Sequence, residues 1–279
     1  MDVNSPAKIN LFLDLTAKRE DGFHEIKTCM QALSLQDVLS FSVTKFKGIY
    51  LDCNDPKVPL DGRNLVYKAA AILQDRFKIE QGIACNIHKS IPSAGGLAGG
   101  SSNGAATLNA LNKLWALQLS SKQLELIAGE FGSDTVFFVK GGTQLATGRG
   151  EILSPLPTPP KLDIVIVSPE LPVPSNKTAS LYSYVHVKEL EHPSWEAFEK
   201  ALKKGNAKKL VENCVNVFEQ VKYPLYEKLW PKIEEAGKKK GVLKTLLCGS
   251  GPSYALFCKD SKTAENLAKE FPQAWACTI

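Results

Sequence analysis

One twelve-residue stretch, residues 91–102, constrains the fold of this chain more than any other. It reads IPSAGGLAGGSS and contains four glycines and three serines. Apolar residues alternate just before it at Ile83, Cys85 and Ile87, the period of a strand, and a helical pattern follows it. Glycines let main-chain N–H groups approach a ligand, and the first amides of a helix have no partner within the helix. The stretch therefore predicts a strand, a phosphate-binding loop and a helix in succession.

The spacing within this glycine loop excludes the two most familiar phosphate-binding sequences. A Walker A loop ends in Gly-Lys followed by Ser or Thr, whereas Gly100 is followed directly by Ser101. A dinucleotide fingerprint needs the spacing G-x-G-x-x-G, which residues 95–100 do not have. Because glycine-rich turns that bind nothing are also common, a flexible surface turn is the alternative interpretation.

The composition is that of an ordinary globular protein. The chain has 279 residues, of which 44% are hydrophobic and 23% are charged, enough for one or two domains. Its net charge of +5 is too small and too scattered to indicate nucleic-acid binding, but it suits an anionic substrate. We therefore expect a small-molecule substrate and no nucleic-acid partner.

Cysteine usage and the absence of long apolar segments bear on location. The seven cysteines include no C-x-x-C pair, which predicts reduced thiols in a reducing compartment and no zinc site. No run approaches the roughly 18 apolar residues that would span a membrane. Residues 1–6 have neither a basic nor an apolar signal region. We expect a cytoplasmic protein with no membrane partner.

The beginning of the chain predicts a strand followed by a hairpin turn. Apolar residues alternate over residues 9–15, which places Lys8 and Asn10 on the opposite face of the strand. Asp21-Gly22 is a hairpin signal, and Phe23-His24 follows it. On pattern alone, Lys8 is a solvated strand end and Phe23-His24 is a packed aromatic beside a surface histidine. The alternative is that these two rings bind a planar base by stacking and hydrogen bonding.

Three helices are predicted in the middle of the chain. Asn64 is a plausible N-cap of the first, and the second follows the glycine loop and ends near Leu119. Ser120 begins a capping box for the third, which Gly132 stops. Asp134 then heads an apolar run, where a lone aspartate usually caps a turn.

Four prolines within residues 155–160 indicate a connector, and we divide the chain there into domains of residues 1–156 and 157–279. A buried strand follows, then helical patterns over 194–237, then a strand, a glycine turn and a strand over 246–257. A capped helix and a last strand complete a β-α-β order that is consistent with a ferredoxin-like domain.

Three separated motifs resemble those of the GHMP kinases and occur in the same order. The glycine loop contains a proline, a Gly-Leu pair and a Ser-Ser pair like the second motif of that family, and residues 246–257 are similar to the third. Residues 6–11 (PAKINL) and 21–24 (DGFH) resemble the branch that phosphorylates the 2-hydroxyl of 4-diphosphocytidyl-2-C-methyl-D-erythritol. Residues 133–139 resemble the segment of that branch with the catalytic aspartate, although Val136 replaces a proline.

The resemblance implies an α+β protein with the two-domain GHMP kinase fold. Residues 1–156 would form a ribosomal-protein-S5-domain-2-like domain with the ATP-binding loop, and residues 157–279 a ferredoxin-like domain. It also implies that Lys8 and Asp134 are catalytic and converge on the acceptor hydroxyl. The residues assigned to ATP are Asn64, Pro92, Ser93, Ala94, Gly95, Gly96, Leu97, Ala98, Gly99, Gly100, Ser101 and Ser102, and those assigned to the substrate are Asn10, Phe23, His24 and Thr178.

One segment departs from the family, and several properties follow only from the resemblance. In the loop over residues 172–179, which the resemblance connects with ligand binding, Asn176-Lys177 stands where Val-Ser is commoner. The implied ligands are ATP, the cytidine diphosphate-methylerythritol substrate, and Mg²⁺ held mainly by phosphates and water rather than by a protein metal site. We expect a monomer or a weak homodimer.

Two other functions remain open from the sequence. One is another GHMP kinase, acting on homoserine, mevalonate or a sugar. The other is a non-catalytic module that binds a nucleotide or a nucleic acid. Phe23-His24 distinguishes these other GHMP kinases from the branch that acts on the cytidyl substrate, because only a cytosine-binding member needs that pair.

Overall fold

The computed structural model describes residues 1–174 and 176–279, so Ser175 of the predicted ligand loop lies outside the described residues. The chain divides into two compact units. The first consists of Met1–Ala7, Gln36–Ser93 and Ala98–Gly141, and the second of Lys8–Leu35, Ala94–Leu97 and Gly142–Ile279.

The described residues form eleven strands and ten α-helices, which confirms the predicted α+β class. The strands are β1 (Asp2–Lys18), β2 (His24–Thr44), β3 (Ile49–Cys53), β4 (Gly82–His88), β5 (Thr143–Thr147), β6 (Ile152–Pro155), β7 (Asp163–Val167), β8 (Val215–Asn216), β9 (Val242–Leu247), β10 (Tyr254–Cys258) and β11 (Ala274–Thr278). The helices are α1 (Leu65–Arg76), α2 (Gly99–Leu114), α3 (Ser121–Gly129), α4 (Ser133–Lys140), α5 (Lys177–Ser183), α6 (Trp195–Lys203), α7 (Ala207–Asn213), α8 (Pro224–Glu227), α9 (Trp230–Gly237) and α10 (Ser261–Ala268).

In the first unit, helices α1 to α4 accompany the strands β3 and β4 and the second half of β2. Strand β4 pairs antiparallel with β2 from Val38 opposite His88 to Thr44 opposite Gly82, and parallel with β3. Leu39 and Phe41 are buried while Ser40 between them is exposed, because successive side chains of a strand point to opposite faces. Helix α2 packs against α1 and α4.

The second unit contains two groups of strands. Strand β5 pairs antiparallel with β2 and with β6, and β8 pairs parallel with β1 at Phe12 opposite Val215. The other group is an antiparallel sheet in the order β11-β7-β10-β9. Helix α10 packs on β7 and β11, and α9 packs on β9. Numbered within this sheet, the strand order is four-one-three-two, the ferredoxin-like arrangement that the sequence predicts.

Two predicted helix ends are wrong. Helix α2 ends at Leu114 instead of near Leu119, because the chain turns through positive φ at Ala116. The side chain of Asn112 then donates to the carbonyl of Leu119 and accepts from its amide. The helix expected to run until Gly132 ends at Gly129.

The helical patterns expected over 194–237 correspond to four helices with short interruptions. That segment is divided among α6, α7, the short strand β8, a 3₁₀ turn at Val217–Gln220, α8 and α9. Gly205 turns through positive φ after α6, and the side chain of Asn206 then caps α7.

Candidate functional site

The start of α2 is a helix N-terminus that no side chain caps. Ala98 occupies the N-cap position with φ of 55° and makes no side-chain capping hydrogen bond. Helices α4, α5, α8 and α9 also lack a side-chain cap, whereas α1, α3, α6, α7 and α10 have one. A Cβ on Gly100 would meet nothing within 4 Å. The first turn of α2 therefore offers main-chain N–H donors and a positive dipole end to an anion.

Residues 94–97, the part of the glycine loop in the second unit, lie against the turn formed by residues 248–253, which we call the glycine turn. Gly96 has φ of +86°, and a Cβ on it would lie 1.9 Å from the carbonyl oxygen of Cys248. The amide of Ser253 donates to the carbonyl of Gly95 at 3.2 Å. Only glycine fits at position 96, since a side chain there would overlap the main chain.

A buried ion pair supports the other end of the glycine loop, in the first unit. Asp37 is fully buried, accepts the amides of Ser90 and Ile91 at 2.8 Å each, and forms an ion pair with Lys89. The Asn103 amide donates to the same carboxylate at 2.9 Å. No sequence pattern predicts this network, because Asp37 belongs to no motif and its partners are distant in the chain.

Ser102, Ser93 and Asn64, three residues assigned to ATP, already bond to protein groups. Ser102 is buried and its hydroxyl accepts from that of Ser5 at 2.8 Å. The Ser93 hydroxyl donates to Asp55 at 3.3 Å. Asn64 caps α1, accepting from the Val66 amide, and its own amide donates to a main-chain carbonyl. The N-cap is confirmed, and the contacts of these residues with ATP stay predictions.

Lys8 is buried, so the interpretation as a solvated strand end is wrong. The residue is 4% exposed, its main-chain amide donates to the carbonyl of Leu97 at 3.1 Å, and its Nζ donates to Asn10 Oδ1 at 2.8 Å. Asn10 donates in turn to Thr28 Oγ1 at 2.8 Å. A Cβ on Gly249 would lie 3.3 Å from Lys8 Nζ. The amine therefore lies beside the glycine turn with a neutral partner.

Asp134 lies in the first turn of α4, so the predicted apolar run is a helix. The residue is half-buried, and within residues 1–174 and 176–279 its carboxylate makes no hydrogen bond or ion pair. Lys8 belongs to the second unit and Asp134 to the first. Their convergence on one hydroxyl stays a prediction.

The Phe23-His24 pair divides between surface and interior. His24 is 6% exposed, its ring lies 5.1 Å from that of Tyr182, and its buried Nε2 has no hydrogen-bond partner among the described residues. Burial and the nearby Lys18 lower the pKa of His24, so the ring is neutral at pH 7. Phe23 is 54% exposed and stacks under the guanidinium of Arg149 at 4.9 Å. The interpretation of Phe23 as a packed aromatic and of His24 as a surface residue is therefore wrong for both residues.

Lys177, which the sequence analysis noted only as a departure from the family, lies at the start of α5. It is 6% exposed, and its Nζ donates to the carbonyls of Ala94, at 3.1 Å, and Gly251. Burial and the charge of Lys8 lower the pKa of Lys177 to about 8. The neighbouring Thr178 hydroxyl lies 3.2 Å from that of Ser250, so this predicted substrate residue lies at the glycine turn.

In residues 1–174 and 176–279, no three or more His, Cys, Asp and Glu side chains are grouped to hold a metal ion. Over the same residues, no helix has the length and apolar character to cross a membrane.

Comparison with known families finds two adjacent models of one superfamily. Residues 64–142 match the N-terminal domain of GHMP kinases, and residues 187–277 match the C-terminal domain. The two matches fall on either side of residues 156 and 157, and the domain boundary predicted there stays a prediction.

Curated relatives are similar over nearly the whole chain. The chain is 40% identical to the 4-diphosphocytidyl-2-C-methyl-D-erythritol kinase of Geobacillus kaustophilus, covering 94% of this chain and 90% of the relative. It is also 40% identical to the enzyme of that name from Exiguobacterium sibiricum, covering 95% of this chain and 91% of the relative.

Solved structures give the same result. A crystal structure of 4-(cytidine 5'-diphospho)-2C-methyl-D-erythritol kinase matches with a TM-score of 0.84 at 30% identity, covering 100% of this chain and 98% of that one. Homoserine kinase from Cytophaga hutchinsonii matches with a TM-score of 0.72 at 17% identity, covering 100% and 94% of the two chains. The predicted two-domain fold is confirmed.

Proposed function

Because the chain belongs to the GHMP kinases and, within them, to the 4-diphosphocytidyl-2-C-methyl-D-erythritol kinases, we propose that it transfers the γ-phosphoryl group of ATP to the 2-hydroxyl of that substrate. The reaction serves the non-mevalonate synthesis of isoprenoid precursors. The observation that carries this proposal is near-complete coverage at 40% identity to relatives of that name. The uncapped start of α2 supports the ATP part, since phosphates bind to free amides at helix N-termini.

The cytidine part of the proposal is supported by His24. Its ring is neutral and buried and lies tilted against that of Tyr182, and its Nε2 is a hydrogen-bonding atom whose burial without a partner among the described residues is unfavourable. A pyrimidine base that bonds to this nitrogen removes that cost. A homoserine, mevalonate or sugar kinase needs no such base-binding group, so His24 favours the cytidyl substrate over those alternatives.

In the proposed reaction, Asp134 and Lys8 act on the acceptor hydroxyl. Asp134 accepts the proton of the 2-hydroxyl, and the hydroxyl oxygen of the substrate then attacks the γ-phosphorus. The bond between the γ-phosphorus and the β,γ-bridging oxygen breaks, and ADP leaves with its electrons. Lys8 stabilises the negative charge that develops on these oxygens. The glycine loop amides hold the β- and γ-phosphates.

We propose Mg²⁺ as the metal. Mg²⁺ bound with ATP would be held mainly by phosphates and water. Ser101, Ser102 and Asp134 are the candidate protein ligands. When bound, the ion would neutralise phosphate charge.

The seven free cysteines favour a reducing, cytoplasmic location. The monomeric or weakly dimeric state and the lack of nucleic-acid binding stay predictions.

An ADP-release assay with and without the cytidyl substrate tests the proposal. We expect release that depends on this substrate and is absent with homoserine, mevalonate or galactose.

Asp134→Asn should lower kcat by at least about 10²-fold, because it removes the general base, while ATP binding measured by calorimetry is retained. Asp75→Asn, at an exposed position of α1, is the matched control and should leave kcat unchanged. ADP release with another acceptor alone would contradict the proposed cytidyl substrate. A near-normal kcat in Asp134→Asn would contradict the assignment of Asp134 as the general base.

A further inference from the structure

The second unit contains two buried lysines that lack a counterion. Lys8 and Lys177 are 4% and 6% exposed, and neither forms an ion pair with any described residue. The partners of their amines are the Asn10 amide oxygen and the main-chain carbonyls of Ala94 and Gly251. A buried charge is costly unless it is paired, so this arrangement is unfavourable in the absence of an anion.

The titratable groups that act on the Lys177 amine do not supply a negative charge. The titratable groups that act on its amine are Lys8, which repels it, and the thiol of Cys248. Burial raises the pKa of that thiol, so Cys248 is neutral and supplies no negative charge. Two cations that repel each other therefore lie beside the glycine loop and the glycine turn.

The two carbonyls that Lys177 holds belong to different segments. Ala94 is in the glycine loop, where its φ is 59°, and Gly251 is in the glycine turn. Between them, Gly96 lies so close to Cys248 that no side chain fits. A single donor group thus bonds to both segments beside their closest approach.

We propose that Lys177 is a positioning residue for ATP. Its amine holds residues 94–96 against residues 248–251 and supplies positive charge to the bound phosphates. The identity of the ligand as ATP rests on the proposed function. Removal of the amine should loosen both segments and weaken nucleotide binding while the rest of the fold stays intact.

Lys177→Met tests this inference, with Lys188→Met as the matched control at an exposed position. In the ligand-free protein we expect faster amide hydrogen exchange confined to residues 94–97 and 248–252. The Kd for ATP, measured by calorimetry, should rise about tenfold. The control should change neither quantity. Unchanged exchange and an unchanged Kd in a folded Lys177→Met protein would overturn the inference.

A pH series keeps the test valid if Lys177→Met does not fold. As the pH rises through about 8, Lys177 loses its charge, so the wild-type Kd for ATP should increase. Lys177→Arg stays charged and should show a flatter profile. Identical profiles for the two proteins would overturn the inference. Because exchange and ATP binding need no acceptor, a wild-type protein that binds ATP but phosphorylates no cytidyl substrate would contradict the proposed function alone.

Discussion

The glycine loop and the glycine turn have similar sequences but differ in how their main-chain groups are used. In the turn, the carbonyls of Gly249, Ser250 and Gly251 accept from side chains of Asn216, Tyr226 and Lys177, respectively. At the start of α2 no side chain caps the helix, and Gly100 is surrounded by open space. The turn is therefore braced by the protein, as are residues 94–97 of the loop, whereas the end of the loop at the start of α2 keeps donors for a ligand.

The two segments also differ in which residues adopt a left-handed backbone. The turn uses glycine for this purpose, at Gly249 and Gly251. The loop uses alanine on both sides of Gly96, at Ala94 and Ala98. Because a left-handed alanine is strained, a segment that holds two of them is under constraint from its surroundings. A glycine count therefore does not distinguish a ligand loop from a structural turn, but the use of the main-chain groups does.

The largest expected effect comes from Gly96→Ala, at the contact between the loop and the turn. The free energy of unfolding should fall by about 3 kcal/mol or more, because the new Cβ overlaps a main-chain oxygen and the backbone is left-handed. Gly22→Ala is the matched control, since Gly22 has nearly the same φ, +84°, but no atom within 4 Å of a new Cβ. Its cost should be about 1 to 2 kcal/mol. Urea unfolding measures both, and equal losses would contradict the importance of the close approach.

Gly100→Ala tests the open part of the loop. We expect the Kd for ATP to rise about tenfold, because a methyl group would hinder phosphate approach to the first turn of α2. The free energy of unfolding should stay constant or rise by up to about 1 kcal/mol, since alanine favours the helix.

Gly129→Ala, near the end of α3, is the control for Gly100→Ala. A Cβ there makes an ordinary contact with Val136 at 3.8 Å, so the change should be tolerated without any effect on the Kd for ATP. Loss of stability in Gly100→Ala, or an unchanged Kd, would mean that the start of α2 is structural like the glycine turn.

The parts of the fold that were predicted correctly depend on local patterns. Alternation over Ile83–Ile87 predicted β4, and the capping box of α3 has both of its hydrogen bonds, between Ser120 and Gln123. The ferredoxin-like order followed from the succession of elements. These signals lie within a few residues of one another, so no knowledge of tertiary contacts is needed to read them.

The parts that were missed depend on partners far apart in the chain. Asp37 is held by Lys89 and Asn103, and Lys177 by carbonyls of residues 94 and 251. Burial of Lys8 and His24 likewise results from segments that no local pattern connects to them. For Lys8, the only signal in the sequence was a charged residue beside apolar ones. Such a pattern more commonly marks the solvated end of a strand.

The smallest expected effect is that of Ala98→Gly, which tests whether strain in the loop serves ligand binding. Glycine adopts φ of 55° without penalty, which favours the folded state by about 1 to 2 kcal/mol. It also makes the unfolded chain more flexible, which offsets about 0.5 to 1 kcal/mol of that gain. A net stabilisation of about 0.5 kcal/mol should therefore appear in urea unfolding. Because the amides at the start of α2 are unchanged, we expect the Kd for ATP to stay the same. A weaker Kd in the more stable variant would instead show that the strained alanine fixes the loop in its binding conformation, as the protein contacts do for the glycine turn.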